Sequence, residues 1–197
     1  GNGVSVSPSN SKAQAGVVVV HGLGVHPDWG LINPLRSQLS EQGYATLSVQ
    51  MPVLAAELRG DRYPPLFPEA AARIAVAVKF LQDKGHKKIA IVSHSLGASM
   101  ANHCLTRTPD GPVRAWAFIG IINGLDDMFR IRIPVLDIFG ERDWDITRVG
   151  ANERLAQIRK IEGSEQVVVP GAEHFFEGKR DELVKAIVGF LDRTLAR

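Results

Sequence analysis

From Gly16 onward the chain alternates between short, continuous apolar runs and longer stretches whose apolar residues recur three and four positions apart. Residues 16–20 carry four consecutive valines with no polar residue between them. A run this short and this uniformly apolar predicts a strand buried on both faces of a parallel sheet, because a half-exposed strand would alternate. Residues 45–51, 88–92, 113–122, 135–139 and 166–169 form five further strand candidates. Helical patterns lie between them. Asn33-Pro34 predicts a helix start, with Asn as cap and Pro at the first position, and Gly43 ends that helix. A second helix is predicted from Pro68 to Lys84, with Ile74, Val78 and Leu81 on one face. A third follows the 88–92 strand. Thr147 is placed to cap a helix reaching Lys160, and residues 180–195 set Leu183, Ile187, Phe190, Leu191 and Leu195 at helical spacing.

Strands that alternate with helices imply an α/β architecture: a doubly wound, mainly parallel sheet of six strands. Residues 1–15 read as a loose lead-in, in which Val4 and Val6 alternate with serine as a seventh, edge strand would. Residues 16–197 contain no internal repeat and no linker, so they read as one domain. The link over 123–133 has room for one turn of helix. Residues 52–67 form a loop without period, long enough to suggest a functional role.

Composition narrows the function. A length of 197 residues supports a sizeable core, and 45% apolar with 22% charged residues is ordinary for a soluble globular chain. The net charge of +2 comes from scattered basic residues, the longest local group being Lys87-Lys88, which gives no electrostatic case for a nucleic-acid partner. No apolar run approaches the ~20 residues that span a bilayer. Cys104 is the single cysteine, so no internal disulfide forms, and a buried apolar role suits it. The chain opens Gly-Asn-Gly rather than Met; a removed leader or a trimmed expression product both fit, and both a cytoplasmic and an exported location stay open.

The candidate chemistry lies where strands end. Ser93-His94-Ser95-Leu96-Gly97 joins a strand to a helix and is a variant of the nucleophile elbow Gly-x-Ser-x-Gly. Gly97 keeps the small residue on the helix side, while Ser93 replaces the usual glycine on the strand side. The turn lifts the Ser95 hydroxyl above the sheet edge, and the Leu96 N–H points outward at a helix N-terminus. His21-Gly22-Leu23-Gly24, Asp143 and His174 follow three other strands, so all four sites gather on one rim. A serine nucleophile needs a base, and an imidazole suits that role near neutral pH. An acid behind the imidazole sets its tautomer. Asp143 and its rival Asp145 both follow the 135–139 strand, whereas Asp137 lies inside it.

With these motifs the chain resembles the α/β-hydrolases from about Val17 to the C-terminus. It is similar to small capless bacterial members of unassigned function, with a His-Gly-Leu-Gly loop and a Ser-His-Ser-x-Gly-Ala elbow. The resemblance implies Ser95 as nucleophile, His174 as base and Asp143 as acid, in the chain order of that family. It also implies an oxyanion hole made by the backbone N–H groups of Leu23 and Leu96, with His21-Gly22 shaping the first loop. The expected activity is that of a serine hydrolase cleaving a small ester through an acyl-enzyme, without a cofactor. A peptidase or thioesterase would use the same triad, and a non-catalytic binding module would keep the frame without the reaction. His21, Trp29, His94 and Trp144 are candidates to line the pocket. No metal is expected, since His21, His26, His94 and His174 lack helical ligand spacing and no cysteine accompanies them. Without a cap, the site should be open and shallow, suited to small, short-chain or polymer-end substrates.

Overall fold

A computed structural model describes residues 15–22, 28, 30–54 and 58–195. The Val4–Val6 edge-strand candidate lies outside the described residues, as do Leu23, His26 and Trp29. Six strands, β1 (Ala15–Val20), β2 (Ala45–Val49), β3 (Lys88–His94), β4 (Val113–Ile119), β5 (Val135–Gly140) and β6 (Glu165–Val169), form one parallel sheet in the order β2-β1-β3-β4-β5-β6. The chain starts in the interior of the sheet, steps to one edge, and then returns past β1 to build the other side. The connections leaving β1 and β3 therefore diverge, and a crevice opens at the carboxyl ends of these two strands.

Helices α1 (Ile32–Glu41) and α6 (Arg180–Leu195) cover one face. There Leu35, Leu39, Leu183, Ile187 and Phe190 pack on Val17, Val19, Ala90, Val92 and Ala117. Helices α2 (Phe67–Asp83) and α3 (Leu96–Arg107) cover the other, where Ile74, Val78, Leu81 and Met100 pack on Val18, Val20, Ile89, Ile91, Trp116 and Phe118. Successive apolar residues of β1, β3 and β4 thus enter opposite cores, which is why these inner strands read as largely unbroken apolar runs.

Between β4 and β5 the chain makes only the short 3-10 turn Met128–Arg130, which leaves no room for a cap. Residues 60–66 hold two further 3-10 turns, Gly60–Arg62 and Pro64–Leu66, within the loop expected to lack structure.

Three local expectations need correction. The helix expected from Thr147 to Lys160 is two helices, α4 (Asp145–Val149) and α5 (Ala151–Ile158), separated at Gly150. Thr147 does not cap: it is buried inside α4 and its hydroxyl donates to the Ile121 carbonyl at 2.9 Å. Asn33 is not the cap of α1 either: the helix already begins at Ile32, which puts Asn33 inside its first turn, where its amide donates to the Asp28 carboxylate at 2.7 Å. The fourth strand stops at Ile119 rather than Ile122, because Gly120 adopts φ +55° and turns the chain.

Candidate active site

The elbow is built by close packing of backbones. A Cβ on Gly97 would lie 2.3 Å from the His21 carbonyl oxygen and 2.8 Å from that of Val20, so α3 can start against β1 only with glycine there. Ser95 sits at φ 57°, ψ −127°, a conformation that costs a non-glycine residue about 1–3 kcal/mol. Its N–H donates to Ile119 O at 2.9 Å, and Ala98 N donates to Ser95 O at 3.0 Å, which hold the turn. Ser93, the departure from the usual glycine, does not crowd the elbow. Its hydroxyl accepts from Trp116 Nε1 at 2.9 Å and donates to Ala117 O at 3.5 Å, so it belongs to the β3–β4 packing.

Ser95 Oγ lies 3.0 Å from His174 Nε2, and His174 Nδ1 lies 2.7 Å from Asp143 Oδ1. The carboxylate can only accept, so Nδ1 carries the proton and Nε2 is left to accept from the serine hydroxyl. Asp143 also accepts from Trp144 N at 2.7 Å and from Gly140 N at 3.4 Å. Burial pushes its carboxyl upward, but the bond and charge of His174 and these two N–H groups outweigh it, leaving Asp143 below its ordinary value. The three residues are almost enclosed, at 4% exposure for Ser95, 3% for Asp143 and 1% for His174, so the centre of the site is not shallow. The rival Asp145 is exposed and pairs with Arg148.

Two glycines set this meeting. A Cβ on Gly140 would stand 2.2 Å from Ala172 O, and Arg142 N donates to that same carbonyl at 2.8 Å; the loops that carry Asp143 and His174 are thereby clasped together. Gly120 is the residue that sequence reasoning missed. A Cβ there would fall 3.0 Å from Asp143 Oδ2 and 3.1 Å from His174 Nδ1. Its signal was a glycine ending an apolar run before Ile121-Ile122.

The other candidates take supporting positions. Trp144 lies flat on the His174 imidazole, with centroids 3.6 Å apart and planes at 16°, while remaining 47% exposed. His94 is buried beside His174, and its Nε2 donates to the His174 carbonyl at 2.9 Å. Burial first, and then the neighbouring His174, push its pKa down to about 4. His21 is buried too: Nε2 accepts from Met51 N at 2.9 Å and Nδ1 donates to Gly22 O at 2.8 Å, tying the loop after β1 to the chain after β2. Gly22 faces the nucleophile, since a Cβ on it would stand 3.0 Å from Ser95 Cβ. Leu96 opens α3, whose first N–H groups have no carbonyl partner within the helix. The Leu23 and Trp29 assignments lie outside the described residues. Among the described residues no group of three or more His, Cys, Asp or Glu side chains could hold a metal ion. No helix there is long and apolar enough to cross a membrane.

The parallel six-stranded sheet, the serine elbow after β3 and the absence of a cap among the described residues define the α/β-hydrolase fold in its form without a lid. Within it, residues 4–65, less than half of the chain, match a family model described as a protein of unknown function (DUF3530). The chain is similar to a dienelactone hydrolase from Anabaena variabilis, with 20% identity and a TM-score of 0.72 over 91% of this chain and 86% of that one. It is also similar to an α/β serine hydrolase homologue from Coxiella burnetii, with 18% identity and a TM-score of 0.70 over 91% and 86%. An α/β serine hydrolase without a lid from Xanthomonas campestris aligns at 16% identity and a TM-score of 0.70 over 95% and 85%. Comparison with curated protein sequences gives no match.

Proposed function

We propose that the protein is a serine hydrolase that cleaves an ester by acyl transfer. The observation that carries this reading is the relay Ser95 Oγ–His174 Nε2–His174 Nδ1–Asp143 Oδ1, at 3.0 and 2.7 Å, in which the carboxylate beside Nδ1 favours the tautomer a general base requires. Neighbours of the same fold described as a dienelactone hydrolase and as serine hydrolases support it.

In the first half-reaction the Ser95 oxygen bonds to the ester carbonyl carbon while its proton passes to His174 Nε2. Asp143 stabilises the imidazolium. The carbonyl oxygen becomes an oxyanion, held by the Leu96 N–H at the start of α3; the second donor expected, the N–H of Leu23, lies outside the described residues. The carbon–oxygen bond to the alcohol then breaks, and the imidazolium gives its proton to the departing oxygen. Water deprotonated by His174 attacks the acyl-enzyme, and the acid leaves as Ser95 recovers its proton. The same groups would serve thioesters and amides, and an unreactive frame would serve only binding.

A fluorophosphonate probe separates these readings. It labels the wild-type protein but neither Ser95→Ala nor His174→Ala, and both variants keep the wild-type melting behaviour. Failure to label the wild type, or equal labelling of Ser95→Ala, overturns the assignment. Turnover of p-nitrophenyl acetate without cleavage of peptide amides places the activity with esters.

A further inference from the structure

A groove of about 860 Å³ opens beside Trp144 and runs between the 60–66 turns and the segment after β4. Its surface is mainly apolar, from Phe67, Ile122, Trp144 and Ile146, and Arg59, Asp61 and Asp126 are its charged lining residues. The catalytic relay does not use it. Of the groove residues, Trp144 reaches the chemistry, because its indole also lies on the His174 ring at 3.6 Å.

This juxtaposition decides which half of an ester the groove receives. The group that returns a proton to the departing oxygen must stand beside it, so the alcohol leaves along the imidazole side of the serine. Trp144 lies on that imidazole and is also a wall of the groove. Its lining sets Arg59 against Asp61 and Asp126, charges of both signs rather than a field of one sign, which suits a neutral ligand. A space of this volume would stay mostly empty around a methyl or ethyl group, since grooves of 300–1,000 Å³ accept ligands of roughly drug size. We infer that the groove is the leaving-group subsite, and that the substrate is an ester of an extended, uncharged, apolar alcohol. This rests on the serine-hydrolase reading. It replaces the expectation of uniformly small substrates, drawn from the missing cap, with a long apolar alcohol half.

The experiment measures kcat/KM along two series: acetates of methanol, butanol and hexanol, and methyl esters of acetic, butyric and hexanoic acid. The straight-chain alcohols differ little in basicity, so the alcohol series reports binding. We expect a rise of about twofold per methylene along the alcohol series, from partial burial of each added group, and a smaller rise along the acyl series. Ile146→Asp, at an exposed position, and Phe67→Ala should each reduce the hexyl-to-methyl acetate ratio by at least about threefold. A flat alcohol series, a steeper acyl series, or ratios unchanged in both variants overturns the subsite while turnover itself persists. Absence of turnover together with absence of fluorophosphonate labelling overturns the hydrolase reading, and the subsite with it.

Discussion

Strand β5 carries Asp137 in its middle and Asp143 just past its end, and both acids are buried. Asp137 Oδ2 accepts from Arg154 Nε and from Gln166 Nε2, each at 2.8 Å, and Arg154 Nη1 donates to Thr147 O at 2.7 Å. Asp143 faces His174 instead. A guanidinium keeps its charge at every accessible pH, so the first pair is locked and joins α5 to the sheet. An imidazole can take a proton and return it, so the second pair can do work on a neighbouring hydroxyl. Burial and residue type are the same in the two places. What differs is the partner that folding supplies: one acid pins a helix to the sheet, the other stands behind an imidazole.

The comparison can be broken from either side. The largest effect is expected from Asp143→Asn. With its amide facing the ring, it favours the wrong imidazole tautomer, and kcat should fall by roughly 10³–10⁴ while the melting curve moves little. Steady-state ester hydrolysis beside a thermal scan checks this. Asp137→Asn should do the reverse. It leaves the Arg154 charge buried and uncompensated, and unfolding in urea should show a loss of about 3–5 kcal/mol. Turnover, at a temperature where the fold persists, should fall far less than in Asp143→Asn.

Acid sharpens the contrast through His94, which faces His174 and feels Asp143. Its pKa is lowered from 6.5 to about 4, so the unfolded chain binds that proton more readily than the folded one. Stability should therefore fall as pH drops from about 6.5 to about 4, by a total of about 3 kcal/mol, and this contribution should level off below. Urea unfolding at pH 7, 5.5 and 4.5 should show that His94→Gln lacks this part of the acid loss. Gly120→Ala comes next. A methyl group at positive φ, pressed on the His174 ring and the Asp143 carboxylate, should lower kcat by about 10–100-fold through misplacement of the relay. The smallest effect belongs to Asp145→Asn, which loses an exposed pair with Arg148. It should alter stability by less than about 0.5 kcal/mol and kcat by less than about threefold. A drop matching that of Asp143→Asn would move the acid role to Asp145.

Much of the architecture was legible because its signals are local. Continuous runs such as Val17–Val18–Val19–Val20 can be satisfied only by burial on both faces, and helices with apolar stripes between them impose crossovers. Glycine marked the elbow and the Asp143 turn for a steric reason: at Gly97 and Gly140 a Cβ would meet backbone oxygen at 2.3 and 2.2 Å. Distant partners were not legible. Ser93 looked like a departure from the usual glycine of the elbow, yet its hydroxyl accepts from Trp116 on the adjacent strand. Thr147 looked like a cap, and it is a buried donor to Ile121. Nothing near Asp137 in the chain announces Arg154, because a helical residue meets a strand residue only after the layers have packed.

By itself the sequence determined the parallel layered fold and the rim on which its chemistry gathers, since apolar periodicity and glycine sterics act over a few neighbouring residues. Only the tertiary structure decided which acid faces the imidazole, that Gly120 lies against that pair, and that Trp144 both lies on His174 and lines a groove. Those are contacts between residues far apart in the chain, and their distances exist only once both sheet faces are covered.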